Sequence, residues 1–373
     1  MHPPVPERTF SAPPARTAFG LSRVSEIPIY YGFVPIEAAR VEREDRVEEK
    51  MALIRRYEEE KMDRMPQPVM LYRETRGKES DMLSAHLDLL GSYKSIAEAI
   101  LIKTAIETLR ATVAEPVTLY LNSLGDRDSF GRFTRELSAF YRKNIADMHA
   151  PCRQALKENV CSLLSCEHGV CVALRENAPK PISFLSDASR AHFKEVLEYL
   201  ERLNLPYDIK EHLVGPAGIC SHTIFEMRAE NGEVLASGFR YNHLARRAGA
   251  RREIPCLGAT LFVRGRAGQA RARSAAPRSP NIYFIQLGAE AKLRSLHIME
   301  LLRNAGLPVA QSIACEKLST QIAHAESLKT PYFIIIGQKE ALDDTALVRD
   351  RERSFQETLP VEKLAGFLKR LLK

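Results

Sequence analysis

The sequence has no run of about 18 consecutive apolar residues, so no membrane-spanning helix is expected. Met1 to Phe19 is rich in proline and arginine and has no apolar segment of the kind a secretory signal needs. No period runs through residues 1–25, which read as a disordered arm. Seven cysteines are an odd number and do not form the even, spaced set of a secreted disulfide framework. Acidic residues are almost missing between Arg240 and Arg278, where ten arginines meet one acid, Glu253. That stretch holds about +9 of charge against a chain total of +7, so the remainder is close to neutral. Clustered basic charge is the footprint of a polyanion binder. A solvated linker is the plainer reading of the same residues.

What is present is a chain of 373 residues, 45% apolar and 27% charged. It is long enough for two or three domains and for a real core, with the composition of a soluble globular protein. Cys161, Cys166 and Cys171 are evenly spaced, with His168 between the last two. That raises a zinc site. Structural zinc ligands come as close pairs two to four residues apart, so the preferred reading is buried free thiols with no metal.

Val41 to Arg64 is dense in both charge signs, with apolar residues at Met51, Ile54, Tyr57 and Met62, and predicts a mostly exposed helix. Ile96, Ala97, Ile100, Leu101, Ala105, Ile106 and Leu109 form a helical stripe. Pro116 to Asn122 alternates as a strand. Arg127 to Tyr141 reads as a helix, and so does Asp187 to Leu203, with Asp187 or Ser189 as its N-cap. His192 on that helix reads as structural. Phe225 to Arg240 predicts two strands joined at Asn231-Gly232. Beyond residue 281 apolar strands alternate with helices: Tyr283–Leu287, Glu290–Asn304, Val309–Ser312, Lys317–Lys329 and Tyr332–Ile336. A strand pair and a helix from Val361 follow. That order predicts an α/β layer with a mostly parallel sheet.

Several stretches carry a family likeness. Tyr30 to Ile36 holds a Tyr-Gly-Phe turn, and Met65 to Tyr72 reads MPQPVMLY. Leu213 to Glu226 reads LVGPAGICSHTIFE, and Ser237 to Asn242 reads SGFRYN. Ile254 to Arg266 reads IPCLGATLFVRGR, and Lys317 to Gln321 reads KLSTQ. Together they resemble histidyl-tRNA synthetase, a class II aminoacyl-tRNA synthetase. The resemblance implies an α/β (α+β) fold. Residues 26–264 would form a truncated, degenerate antiparallel-sheet catalytic domain, 265–280 an arginine-rich linker, and 281–373 an anticodon-binding-like domain. It implies that Asp88 stands for the glutamate that holds the substrate α-amino group. Arg73-Glu74 would stand for the motif 2 pair, unless that strand pair is trimmed and Arg73 is a surface residue. Arg240 and Tyr241 keep their places as substrate-side residues, and Asn242 replaces an aspartate. In motif 3, Pro255 and Gly258 hold register, and Arg264 or Arg266 would reach ATP only if the register slips by one.

The centre of the LVGPAGIC stretch departs from the family. Gly215 stands for an arginine, Gly218 for an aspartate, and Ile219-Cys220 for two tyrosines. Glycine has neither the charge nor the five donors of arginine. Losing one transition-state donor typically costs about 100-fold or more in rate. A buried imidazole facing Ile219 and Cys220 would lack polar partners. The resemblance and its departures lead to a catalytically degenerate protein that keeps tRNA or RNA binding. Candidate contacts are Arg246, Arg247, Arg251, Arg252, Arg271 and Arg273. Two alternatives stay open. One is an active histidine–tRNA ligase using ATP and Mg²⁺, with Arg73 and Arg264 as catalytic candidates. The other is a regulatory subunit like that of ATP phosphoribosyltransferase. A homodimer and a cytoplasmic location are expected.

Overall fold

The computed structural model describes residues 21–38, 46–76, 82–113, 115–216, 218–264, 280–312, 315, 317–353 and 355–372. Two compact units emerge, one spanning Val24–Gln269 and the other containing Ala270–Lys373. No described helix is long and apolar enough to cross a membrane. The arginine-rich stretch 265–279, with Arg266, Arg271 and Arg273, lies outside the described residues. Of the expected arm, residues 1–20 lie outside the described residues. Arg23–Ser25 form a 3₁₀ turn in which Val24 and Ser25 are buried.

The first unit begins with the short helix α1 (Glu26–Tyr30) and strand β1 (Val34–Pro35). Then come α2 (Arg46–Glu59), β2 (Val69–Arg76), β3 (Leu83–Leu90), α3 (Ile96–Thr112) and β4 (Val117–Ser123). A helical insertion holds α4 (Arg127–Lys143), α5 (Ala150–Glu158), α6 (Gly169–Glu176) and α7 (Asp187–Arg202). The chain closes through β5 (Asp208–Ile209), β6 (Ser221–Ala229), β7 (Val234–Arg240), α8 (Leu244–Arg247) and β8 (Cys256–Val263). The sheet order is β1-β2-β3-β8-β7-β6-β4-β5. It is antiparallel from β2 to β4, with a short parallel strand at each edge.

Two expectations change here. β2 and β3 pair along all eight residues, Val69 opposite Leu90 through Arg76 opposite Leu83, so the strand pair is not trimmed. The charged helix α2 is not mostly exposed either. Met51, Leu53, Ile54 and Tyr57 are buried and join a core with Leu71, Ile224, Phe239 and Tyr241 from the sheet. Its inward charges are neutralised by partners, which a charge count cannot anticipate.

The helical insertion is tied at its two ends. Asp126 caps α4 by accepting from the Ser129 N–H at 2.8 Å. It also accepts from the hydroxyls of Ser186 at 2.6 Å and Ser189 at 3.1 Å. Ser186 is the N-cap of α7, in place of the expected Asp187 or Ser189. These donors outweigh the effect of burial and hold the Asp126 carboxyl below its ordinary range.

The second unit has β9 (Ile282–Gln286), α9 (Ala289–Asn304), β10 (Val309–Gln311), α10 (Leu318–Ser327) and β11 (Tyr332–Ile336). It ends with α11 (Gln338–Leu342), β12 (Thr345–Asp350), β13 (Gln356–Pro360) and α12 (Val361–Leu371). Its sheet runs β10-β9-β11-β12-β13. The first three strands are parallel, and the terminal hairpin adds two antiparallel ones. Gly306 follows α9 at φ +76°, the left-handed conformation that ends helices cheaply.

Candidate functional site

Successive residues of a strand face opposite sides of the sheet. Register therefore sorts the candidates. β3 aligns Asp88 with Leu71 of β2 and Gly258 of β8, and His86 with Arg73 and Thr260. Tyr241, just past β7, turns to this same side and donates to Asp88 Oδ1 at 2.8 Å. Arg240, one residue earlier, turns to the other side.

On the first side α2 lies across the sheet and delivers two charges. The Lys50 ammonium bonds Asp88 directly. Glu49 accepts from Arg73 at 3.1 Å. Arg73 is 3% exposed, so it is not a surface residue. Its Nε stands 3.7 Å from Asp88 Oδ2, beyond hydrogen-bond reach. Arg73 Nε and Nη2 and Asp88 Oδ2 are left without hydrogen-bond partners among the described residues. Burial pulls the Lys50 pKa down, and the Asp88 carboxylate opposes it. The same carboxylate, added to burial, holds the Tyr241 phenol protonated far above its ordinary range. Gly258 is required by this packing. A Cβ there would lie 2.3 Å from Asp88 Oδ1 and 2.6 Å from Lys50 Nζ.

The loop ahead of β6 closes the rest of this side. Asn122 at the end of β4 anchors it by donating to the carbonyls of Glu211 at 3.1 Å and Leu213 at 3.0 Å. Leu213, Ile219 and Cys220 are buried in the core shared with α2, Ile224 and Tyr241. A Cβ on Gly215 would meet Cys220 Sγ at 2.2 Å and Ile224 Cδ1 at 2.9 Å. No side chain, least of all arginine, is accommodated there without moving Cys220. The cavity beside Gly215, Ile224, Ser237 and Phe239 measures about 110 Å³, below the ~300 Å³ of ordinary small-molecule sites, while a cavity of about 580 Å³ borders the same loop at His212, Leu213 and Val214. The carboxylates of this cluster, Asp88 and Glu49, are each engaged by a cation and do not offer Mg²⁺ a donor set.

The opposite side holds Arg240. Its guanidinium clasps Glu98 of α3 through two bonds of 2.6 Å and donates to the carbonyls of Ser92 at 2.8 Å and Lys94 at 3.2 Å. His192 of α7 meets Glu98 at 2.7 Å. Burial raises the Glu98 pKa, but Arg240 and His192 more than offset it and hold it at about 2. His222 stands against His192, and burial together with His192 lowers its pKa to about 4.

The structure thus brings Asp88, Tyr241 and Arg73 together and keeps Arg240 apart, in an ion pair between sheet and helix. Arg264 also lies elsewhere. It is 70% exposed at the end of β8, 3.5 Å from Glu233 of the β6–β7 hairpin. Lys50 and Glu49 are the site residues that sequence reasoning missed. The signal was there: Lys50, Ile54 and Tyr57 share one helical face by spacing. Arg246, Arg247, Arg251 and Arg252 are all exposed on α8 and the turn after it. Arg252 pairs with Asp63 at 2.7 Å.

Comparisons with known proteins agree with this architecture. Residues 281–371 match the family described as anticodon binding domain. The histidine–tRNA ligase of Geobacillus thermodenitrificans is 28% identical over 334 residues, 85% of this chain and 78% of that protein. That of Dehalococcoides mccartyi is 25% identical over 333 residues, 85% of this chain and 79% of its own. The crystal structure of apo S. aureus histidyl-tRNA synthetase superposes with a TM-score of 0.52 at 20% identity, covering 93% of each chain. An antiparallel-dominated eight-stranded sheet and a separate α/β anticodon-binding domain define a class II aminoacyl-tRNA synthetase-like protein. Within that class, the chain is histidyl-tRNA synthetase-like.

Proposed function

We propose that this protein binds tRNA, or a similarly structured RNA, without activating histidine. The RNA contacts come from its anticodon-binding domain and from Arg246, Arg247, Arg251, Arg252, Arg271 and Arg273. One observation carries the second half of the reading. By resemblance, Asp88 is the carboxylate that would receive the substrate α-amino group, and the Lys50 ammonium is bonded to it. A lysine tethered on α2 competes at a very high effective concentration with any free amino acid. The loop supports the same conclusion, because Ile219 and Cys220, which by resemblance stand for two tyrosines, are buried in an apolar core and offer an imidazole no strong polar partner. For the RNA half, the support is the anticodon-binding match and four exposed arginines within seven positions. The proposed location is the cytoplasm, where tRNA is.

Arg73 favours a second reading. Two of its guanidinium nitrogens have no hydrogen-bond acceptor among the described residues, and an arginine so placed suits a phosphate oxygen. An active ATP-dependent histidine–tRNA ligase would use it that way, after moving Lys50 off Asp88.

The test pairs tRNA binding across a salt series with histidine-dependent ATP–pyrophosphate exchange. Steeply salt-dependent binding without exchange is the expected result. Exchange above background overturns the degenerate reading. Absence of both overturns the RNA reading and points to a protein partner.

A further inference from the structure

Three thiols from separate parts of the helical insertion meet at one point. Cys152 sits on α5, Cys166 follows the 3₁₀ segment Val160–Ser165, and Cys171 sits on α6. Their sulfurs all lie within 4.8 Å of one another. Cys152 and Cys166 are 3.5 Å apart, and Cys171 and Cys152 are 3.2 Å apart. A tetrahedral zinc with bonds of about 2.3 Å spaces its sulfurs about 3.8 Å apart. The triangle therefore needs only small expansion to accept the ion. A disulfide would draw one pair to about 2.05 Å and strand the third thiol.

Two histidines hold matching helix positions ahead of these cysteines. His149 is the N-cap of α5, three residues before Cys152, and His168 is the N-cap of α6, three before Cys171. N-cap and N3 side chains meet at the start of a helix. Both imidazoles are exposed, and their rings stack at 4.4 Å and 14°. Cys152 is the thiol that meets both others, 3.5 Å from Cys166 and 3.2 Å from Cys171, so of the two imidazoles the one three residues before it, His149, is assigned as the fourth ligand.

We propose that Cys152, Cys166, Cys171 and His149 bind a structural zinc ion that ties α5 and α6 to each other and to the segment after Val160–Ser165. The ligands then fall into two close pairs, His149-x₂-Cys152 and Cys166-x₄-Cys171. Cys161 is not a ligand. It is buried in the same apolar core, with Phe133, Leu137 and Tyr141 of α4, but outside the sulfur cluster. On binding, each of the three thiols loses its proton to solvent and His149 coordinates as neutral imidazole, so uptake of the ion releases up to three protons. The complex carries a charge of −1. The N-termini of α5 and α6 and the guanidinium of Arg175, which donates to the Leu164 carbonyl at 2.8 Å, face that charge favourably.

The test uses the full chain, loaded with Zn²⁺ and dialysed, then assayed for bound metal by mass spectrometry. A Co²⁺-loaded sample is read by absorption. The expected result is one zinc per chain and the intense cobalt bands of tetrahedral thiolate coordination. Cys161→Ala should keep both. Cys166→Ser changes a half-buried position, so the fold should survive, and it should bind zinc at least about 100-fold more weakly. His149→Ala should weaken and shift the cobalt bands. Failure of the unmodified chain to retain zinc overturns the proposal, as does a disulfide between two of the three cysteines under reducing purification. An unchanged cobalt spectrum in Cys166→Ser overturns it too. An unchanged spectrum in His149→Ala overturns the assignment of the fourth ligand.

Discussion

The two faces of the eight-stranded sheet each bury an arginine and a carboxylate, and they treat them differently. On the α3 side, Arg240 and Glu98 satisfy each other completely, with two backbone carbonyls and His192 taking the remaining capacity. On the α2 side, Lys50, Arg73, Glu49, Asp88 and Tyr241 are close but incompletely paired. A saturated network is architecture: nothing in it can accept a ligand without breaking a bond already made. An unsaturated buried network keeps its desolvation penalty in place. On the proposed reading, this is the face that faced a substrate in active relatives. Lys50, bonded to Asp88, is the residue that the proposed function makes responsible for closing that face.

The largest expected effect lies on the saturated side. Arg240→Met leaves Glu98 buried with only His192 and a long contact to Thr223, and removing one member of a buried ion pair costs about 3–5 kcal/mol. Urea denaturation of the folded unit checks it. If Arg240→Met is as stable as the unmodified protein, Arg240 is not the clasp between β7 and α3, and the contrast between the faces collapses.

Lys50→Met should cost less, about 1–3 kcal/mol, because Asp88 keeps the Tyr241 hydroxyl and Arg73 moves into reach. The more informative readout is ligand response. With the ammonium gone, histidine or histidinol should raise the melting temperature of Lys50→Met and leave that of the unmodified protein unchanged. Stabilisation of the unmodified protein by histidine would mean that Lys50 yields its place, and the closed-site reading would fall.

Acid sharpens the comparison further. His222 has a folded pKa of about 4 against 6.5 when unfolded. The unfolded chain therefore binds more protons between these values, and stability is lost as pH falls from 6.5 to 4. Glu98, depressed to about 2 from 4.5, adds a second loss as pH falls below 4.5. Both groups belong to the α3 side. His222→Asn should recover about 1–2 kcal/mol at pH 4 relative to pH 7, because asparagine tolerates the φ of +50° there and does not titrate. Melting curves at the two pH values decide it. An unaltered pH dependence would place the acid-labile group elsewhere.

Much of this fold was legible. The 3.6-residue stripe of α3, the alternation of β4 and the hairpin of β6 and β7 all follow from local pattern. So do the strands and helices beyond residue 281, because each buries an apolar set its neighbours do not interrupt. α2 was misjudged for a physical reason: Glu49 and Lys50 point inward because partners 24 and 38 residues away neutralise them, and charge density alone reads as solvation. Asp88, Arg73 and Tyr241 could be named from the family motifs, but which side of the sheet each faces depends on register. That is why Arg240, one residue from Tyr241 in the sequence, lies on the other side of the sheet. The thiol cluster was half visible. Counting cysteines alone chose Cys161, whereas including His149 as a possible ligand gives the close pair His149-x₂-Cys152.

The smallest effect on stability is expected from the arginines that make no buried contact. Arg246, Arg247, Arg251 and Arg252 are exposed, and the Arg252–Asp63 pair, with Arg252 67% exposed, is worth less than about 1 kcal/mol. Replacing all four by glutamine should leave the melting temperature within a few degrees. RNA affinity should respond in the opposite sense. Each arginine on a phosphate contributes about 0.7–0.9 to the slope of log affinity against log salt, so the fourfold variant should lose about 3 units of slope. That outcome would separate the arginines completely: those inside the sheet hold the fold and contribute nothing to RNA, and those on α8 and the turn after it do the reverse. An unchanged slope, with binding intact, would shift the whole electrostatic contact to the anticodon-binding domain and leave the α8 arginines as ordinary solvated charge.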